Sequence, residues 1–456
     1  MRIEAHLIDG WPEAAWFAEW QPGSERVKVY HGIDVEVRDD RVFEGVWEGS
    51  FEAGAFDEAA AFCGTGFITA GSELHLIPPF HPQERIYYSH DLYPTKRCAS
   101  NSLLCWLTLT GEQLDLDWPD YYMDFLYILR AGHTSELPSI QLSGGKRLYL
   151  VELSGWSCES ECRMAPRIGP GFQENFASYR AFLKAQIRAI MENAQNRPRP
   201  KTCVSALSEG FDSVGIAVLA REAGVTTALT ITNKEDSRHI GERLGFDTIA
   251  KSSSDACDAR SHDEFFVHTF GHNRCMALLE SHHRGAVMFG GHGGDEIWNC
   301  RTSFDSGQNL QRPRDTILAG NSCSEYRIRI GLVVVPTCLI GQWHWATVQE
   351  ISNSSEMVVF RDESIDYSRP IARRLGIEAG LKWSEFARSK TKGGILLADQ
   401  MQPREEASFR AFLAENVKGD WSRTEYEPLG KYVGSLYRWT SHWAVKRLKQ
   451  RYVLPD

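Results

Sequence analysis

The sequence predicts an α/β protein: a β-rich α+β part over residues 1–192, a linker at 193–201, and a doubly wound parallel sheet within residues 202–456. Three observations carry this. The first part consists of many short β-rich runs broken by frequent turns. The linker sets Pro198 and Pro200 among polar residues, a composition suited to a connection. Beyond it, apolar strands alternate with helical patterns, the order that builds a parallel sheet covered by helices.

Residues 203–207 have the apolar, partly alternating pattern of a buried strand. From Ser213 onward Val214, Ile216, Ala217, Leu219, Ala220 and Ala223 recur at helical spacing, and Gly224 suits a C-terminal cap. Residues 227–232 read as a second strand. A helix is expected over 236–245, with Asp236 or Ser237 as N-cap, Ile240 and Leu244 one turn apart, and Gly245 at the exit. A short strand over 248–250, a long core helix over 263–280 and an apolar strand over 286–289 follow. Residues 432–452 read as an amphipathic helix that lays Val433, Leu436, Trp439, Trp443 and Val445 on the core and carries Arg438, Lys446, Arg447, Lys449 and Arg451.

Two turns in this succession carry the chemistry. In parallel sheets ligands gather beyond the carboxyl ends of the strands, where both turns lie. The first, Ser208-Glu209-Gly210-Phe211-Asp212-Ser213, turns a strand sharply into a helix, which aims backbone N–H groups and the positive end of the helix dipole at one point. Gly210 permits close backbone approach, Ser208 and Ser213 offer hydroxyls, and Asp212 offers a carboxylate for Mg2+. It is not a Walker loop, since no Gly-Lys-Ser/Thr follows. The second, Gly290-Gly291-His292-Gly293-Gly294-Asp295-Glu296, repeats the grammar with one histidine and adjacent carboxylates.

The first turn resembles the Ser-Gly-Gly-x-Asp-Ser pyrophosphate loop of the N-type ATP pyrophosphatases (the PP-loop superfamily), with Glu209 in place of the family's first glycine. The second resembles the Gly-x-Gly-x-Asp-Glu loop of the asparagine synthetase branch. The resemblance implies that Ser208, Gly210, Phe211, Asp212, Ser213, Gly291 and Gly293 hold ATP. It further implies that backbone near Leu229 and Ile231 holds the adenine, that Asp212 and Asp295 share Mg2+, and that Glu296 belongs to the catalytic set. Asparagine synthetases carry a Glu at the position of His292, and β-lactam synthetases a Tyr that works on the substrate amine. A neutral imidazole can take a proton from an amine nucleophile near pH 7; the alternative is a hydrogen bond from His292 to phosphate.

Arg369-Pro370 and the helical pattern after it resemble an Arg-x-Pro segment of the same branch, with the spacer missing, and Lys390 then takes the place of the lysine that reaches the reacting centre. Lys392 competes for that role. A fixed cation is wanted there because charge builds on phosphoryl and acyl oxygens during the reaction. In the first part, residues 84–91, 97–104 and 142–150 resemble, in order, the late strands, helix start and closing hairpin of the glutaminase domain of class B asparagine synthetases. Those glutaminases need an N-terminal cysteine, whereas this chain begins Met1-Arg2-Ile3, so no glutamine hydrolysis is expected. β-Lactam synthetases and lasso peptide cyclases share that loss.

Composition agrees with a two-domain globular chain: 456 residues, 42% apolar and 24% charged. A net charge of −10 argues against nucleic acid as the main partner. No apolar run approaches the roughly 18 residues of a membrane span, and Met1-Arg2-Ile3-Glu4-Ala5-His6 does not start a signal peptide; a cytoplasmic location is expected. Eleven scattered cysteines suit a reduced compartment. Cys158 and Cys162 lack the second ligand pair of a zinc site, and the cluster Asp255, Asp258, His262, Asp263, Glu264 reads as a solvated loop.

The expected activity is therefore AMP-forming ligation: a small-molecule or peptide carboxylate is adenylated by Mg-ATP and passed to an amine or ammonia, with His292, Glu296 and Lys390 assisting. A homodimer is open. The rival readings are a PP-loop sulfur transferase, which a reactive low-pKa cysteine would favour, and a nucleotide-binding pseudoenzyme, which Glu209 would favour.

Overall fold

The computed structural model describes residues 1–93, 95–115, 137–232, 236–252, 262–268, 273–300, 323–362, 368–386, 403–416 and 433–454. Among these, strands gather into three sheets. The first has the order β1 (Arg2–Leu7), β3 (Arg26–His31), β2 (Trp16–Trp20), β9 (Lys96–Ser100), β8 (Ile86–Tyr93), β11 (Lys146–Val151), β10 (Ser139–Leu142). The second has the order β13 (Cys162–Arg163), β12 (Trp156–Ser157), β7 (Glu73–Ile77), β6 (Cys63–Ala70), β5 (Arg41–Val46), β4 (Glu36–Val37). Their facing side chains, among them Trp16, Val27 and Val29 from one and Val42, Phe67 and Leu76 from the other, share one buried cluster. Helix α1 (Leu103–Thr110) packs with Phe17, Tyr87 and Cys98 in a separate cluster on the first sheet.

The third sheet is parallel throughout, with the order β16 (Asp247–Ser252), β15 (Thr227–Thr232), β14 (Cys203–Leu207), β17 (Val287–Gly290), β18 (Val333–Pro336). Strands β17 and β18 read as unbroken apolar runs because both faces are covered. Along β17 and β18, Val287, Phe289, Val333 and Val335 face one cluster, which holds helices α2 (Phe176–Gln195), α3 (Phe211–Ala223), α8 (Trp345–Asn353) and α9 (Pro370–Glu378). Met288 and Val334 face the other, with Leu279 beside α5 (Glu280–His283) and with Tyr326 and Ile330 of α7 (Ser324–Ile330). The short helices α4 (Arg238–Arg243) and α6 (Gly294–Ile297) follow β15 and β17.

The strands and helices expected around the first loop are present, with α3 starting two residues earlier than its apolar spacing implied. The long helix expected over 263–280 is not. There, 3-10 turns run Asp263–Phe266 and Arg274–Leu279, and Asn273 between them adopts a left-handed φ of 61°. Polar residues explain the interruption. Asp263 and Glu264 are buried and pair with Arg447 and with Arg451 and Arg329, so these two acids do not belong to a solvated loop; Asp255 and Asp258 lie outside the described residues. The arginines come from the C-terminus, where α11 (Val433–Leu448) joins α10 (Pro403–Asn416) in the α1 cluster. Part of the C-terminal basic stripe is thus matched by acids of the fold.

Residues 193–201, read as a linker, are packed. Helix α2 runs to Gln195, Asn193 donates to the Gly49 carbonyl at 2.8 Å, and the buried Lys201 ammonium meets Asp34 at 2.8 Å and the Gly331 carbonyl at 3.1 Å.

Candidate functional site

In chain order the parallel sheet runs third, second, first, fourth, fifth strand, so its order reverses between β14 and β17, which pair directly through Cys203–Val287, Val204–Met288 and Ser205–Phe289. A crevice opens at such a reversal, outside the carboxyl ends of the strands. Both turns leave from there.

The turns touch because glycines leave room. A Cβ on Gly291 would lie 2.7 Å from the backbone of Asp212 and Ser213, and one on Gly294 would lie 2.3 Å from Asp212 Cγ. Asp295, beside Gly294, is thereby brought near Asp212. Arg369 completes the group: its Nη2 donates to Asp295 Oδ1 at 3.0 Å and its Nε stands 3.7 Å from Asp212 Oδ1. Arg369 is 3% exposed and immediately precedes Pro370, the first residue of α9, which packs on α3. Proline at that position fixes where the helix begins, and with it the point from which the guanidinium reaches.

The first loop is held by its own side chains. Ser208 N–H donates to Ser213 Oγ at 2.9 Å, Ser213 Oγ donates to the Ala206 carbonyl at 3.2 Å, and Gly210 N–H donates to Ser208 Oγ at 3.3 Å. Ser208 accepts there, which leaves its own hydroxyl hydrogen for an outside acceptor. Gly210 is the N-cap of α3 and no side chain caps that end. Glu209 turns aside: its Oε1 accepts the Asp236 N–H at 3.1 Å. Phe211 is a core residue, 1% exposed and stacked on Phe386 with 5.2 Å between ring centres. Leu229 is buried and Ile231 half-buried; the β14 ladder ends at Thr230, so Ile231 and Thr232 continue beside β16 alone.

His292 folds back over Gly290, where a Cβ would meet its Nδ1 at 3.0 Å. That nitrogen is buried with no hydrogen-bond partner among the described residues, and burial lowers the imidazole pKa. Glu296 lies in α6; its side chain is outside the described part. Lys390 and its competitor Lys392 lie outside the described residues.

One residue of this region was not anticipated. His81 comes from the first part of the chain, is fully buried, and neither ring nitrogen has a hydrogen-bond partner among the described residues. Its neighbour Phe80 sits in the cluster of Phe289 and Leu339, and the Phe80 carbonyl accepts from Gln342 Nε2 at 2.5 Å. Burial, then the nearby Arg327 charge, then His292, push the His81 pKa well down. In sequence it is a lone histidine between Phe80 and Pro82, distant from both loops, and only the tertiary fold brings it there.

Two carboxylates converging at glycine contacts are hard oxygen donors of the kind Mg2+ uses, and Mg2+ takes only one or two from protein, the rest coming from phosphate and water. The acids fit such an ion. Among the described residues, no group of three or more His, Cys, Asp or Glu side chains is placed to enclose a metal by itself. The described cysteines are free, and burial raises the pKa of Cys63, Cys98, Cys105, Cys158, Cys203 and Cys275. No described helix is long and apolar enough to cross a membrane. No protein-family model matches the chain, and no curated protein matches it significantly.

Proposed function

We propose that this chain is an ATP-dependent, AMP-forming ligase of the asparagine synthetase-like kind, which adenylates a carboxylate and transfers the acyl group to a nitrogen nucleophile. The observation that carries the reading is the meeting of the two loops. They leave adjacent parallel strands at the reversal of the sheet and bring Asp212 and Asp295 into contact distance of one guanidinium.

The uncapped N-terminus of α3 and the Ser208 hydroxyl would receive the phosphates of ATP. Asp212 and Asp295 would hold Mg2+, which offsets charge on the departing pyrophosphate. The substrate carboxylate attacks the α-phosphorus, pyrophosphate leaves, and the amine displaces AMP from the acyl-adenylate. His292 takes the amine proton: its lowered pKa keeps the ring neutral, the state a base needs. Lys390 is proposed to stabilise the charge that develops on the reacting oxygens. The six upward-shifted thiols do not supply the easily formed thiolate that the sulfur-transferase alternative needs.

Calorimetry of Mg-ATP with the native chain and with Asp295→Ala tests the reading. Binding by the native chain that is lost in Asp295→Ala is expected, followed by carboxylate-dependent release of AMP and pyrophosphate across a substrate panel. Absence of Mg-ATP binding by the native chain overturns it.

A further inference from the structure

The position of Arg369 goes beyond the ligase reading, though it rests on that reading's assignment of Asp212 and Asp295 to a metal. Two neighbouring carboxylates in a largely buried crevice repel one another and are stable only beside a cation. Here the cation is supplied by the protein. The Arg369 guanidinium hydrogen-bonds Asp295 and approaches Asp212, while its Nη1 donates to the Ser368 carbonyl at 3.2 Å. The side chain is almost fully buried and starts from the residue that Pro370 fixes at the head of α9.

We propose that Arg369 is a built-in counter-ion which holds the metal's place in the nucleotide-free protein, so that a divalent cation enters only together with the triphosphate. The charges give the direction. Against the two aspartates stands a guanidinium already hydrogen-bonded in place, which opposes the approach of a divalent ion. ATP changes the balance. Its phosphates add negative charge and offer the guanidinium bidentate acceptors, so the aspartates pass to the metal while Arg369 turns to phosphate. Arg369 thus couples metal entry to nucleotide and positions both, without itself reacting.

The test uses Mn2+ as probe, followed by the loss of its free electron-paramagnetic-resonance signal, on the full chain alone and with α,β-methylene-ATP. Native protein is expected to bind Mn2+ at least about tenfold more weakly alone than with the nucleotide (about 1.4 kcal/mol). Arg369→Gln and Arg369→Met, each checked for a cooperative melt, are expected to bind Mn2+ alone at least about tenfold more tightly than native. Native protein that binds Mn2+ equally well with and without nucleotide overturns the proposal, as do folded variants with no gain; both leave the ligase reading standing, because Mn2+ still binds with nucleotide. Should native protein bind no Mn2+ even with the nucleotide, the metal assignment and this inference fall together.

Discussion

Two buried arginines in this molecule each stand between two carboxylates, and they differ in the bonds they make there. Arg327 of α7 donates to both oxygens of Glu44 at 2.9 Å and approaches Glu84 at 2.6 Å. Glu44 also accepts from the Thr65 N–H and hydroxyl at 3.0 and 2.8 Å. All four residues are at most 5% exposed. Arg369, by contrast, donates to Asp295 at 3.0 Å and to the Ser368 carbonyl at 3.2 Å and stands 3.7 Å from Asp212. The first group is closed by bidentate and supporting bonds and joins the first part of the chain to the helix before β18. The second lies where Gly291 and Gly294 let the two loops touch. The same side-chain types form a clamp between distant parts of the chain in one place, and meet at the reversal of the parallel sheet in the other.

That difference sets the largest expected effect. Breaking a buried pair by removing one partner strands the other charge and costs about 3–5 kcal/mol, so Arg327→Met should lower the free energy of urea unfolding by about that much. Arg369→Met also strands buried carboxylates and should cost a comparable amount, but it should regain part of the loss when Mg2+ is added, which Arg327→Met should not. Losses that Mg2+ relieves in neither variant would erase the distinction between clamp and site.

Acid should act next most strongly. His81 and His292 at the site, and His268 and His283 elsewhere in the core, all have pKa values lowered first of all by burial, His283 to about 4. Each is neutral in the fold and ionises near 6.5 once unfolded, so the unfolded chain binds more protons and stability falls as pH drops below 6.5, continuing toward each folded pKa. Glu84 opposes this: burial, then Glu44, raise it to about 7, so it holds a proton in the fold and favours the folded state at lower pH. Burial lowers the pKa of His31 and His262 as well, so with six histidines against one glutamate the melting temperature should fall between pH 7 and pH 5, and it should fall less in His81→Phe. A flat profile, or one that His81→Phe leaves unchanged, would mean that His81 is not held neutral.

How much of this was legible in the sequence follows from where each signal resides. The strands at 203–207 and 227–232 and the helix after Gly210 were readable because burial on both faces of a parallel strand and on one face of a helix leaves a local apolar pattern. The helix expected over 263–280 failed because Asp263, Glu264 and His268 are buried by distant partners, and sequence spacing carries no mark of an arginine some 180 residues away. Asp212 and Asp295 were visible as motif residues. Arg369 was visible as the start of an Arg-Pro segment, with no role for its own guanidinium, and His81 as nothing beyond an isolated histidine. Their placement depends on Pro370 at the head of α9 and on the packing of Phe80 beside β17, both tertiary facts.

The smallest expected effect concerns Glu209, the residue that departs from the pyrophosphate-loop pattern. A carboxylate aimed into the crevice would repel phosphate strongly, but Glu209 Oε1 accepts the Asp236 N–H and so tethers the first loop to the chain entering α4. Glu209→Gln keeps an oxygen acceptor, so stability should change by less than about 0.5 kcal/mol, whereas Glu209→Ala should lose about 0.5–1.5 kcal/mol with the hydrogen bond. Calorimetry should find the Mg-ATP affinity of Glu209→Gln within about threefold of native, because the charge removed points away from the ligand. A gain of tenfold or more would place that carboxylate against the phosphates and favour a loop disabled by its own side chain. Between those results, Arg369 is again the reference: if Glu209→Gln and Arg369→Gln both leave nucleotide affinity unchanged, the phosphates do not sit between these two side chains at all.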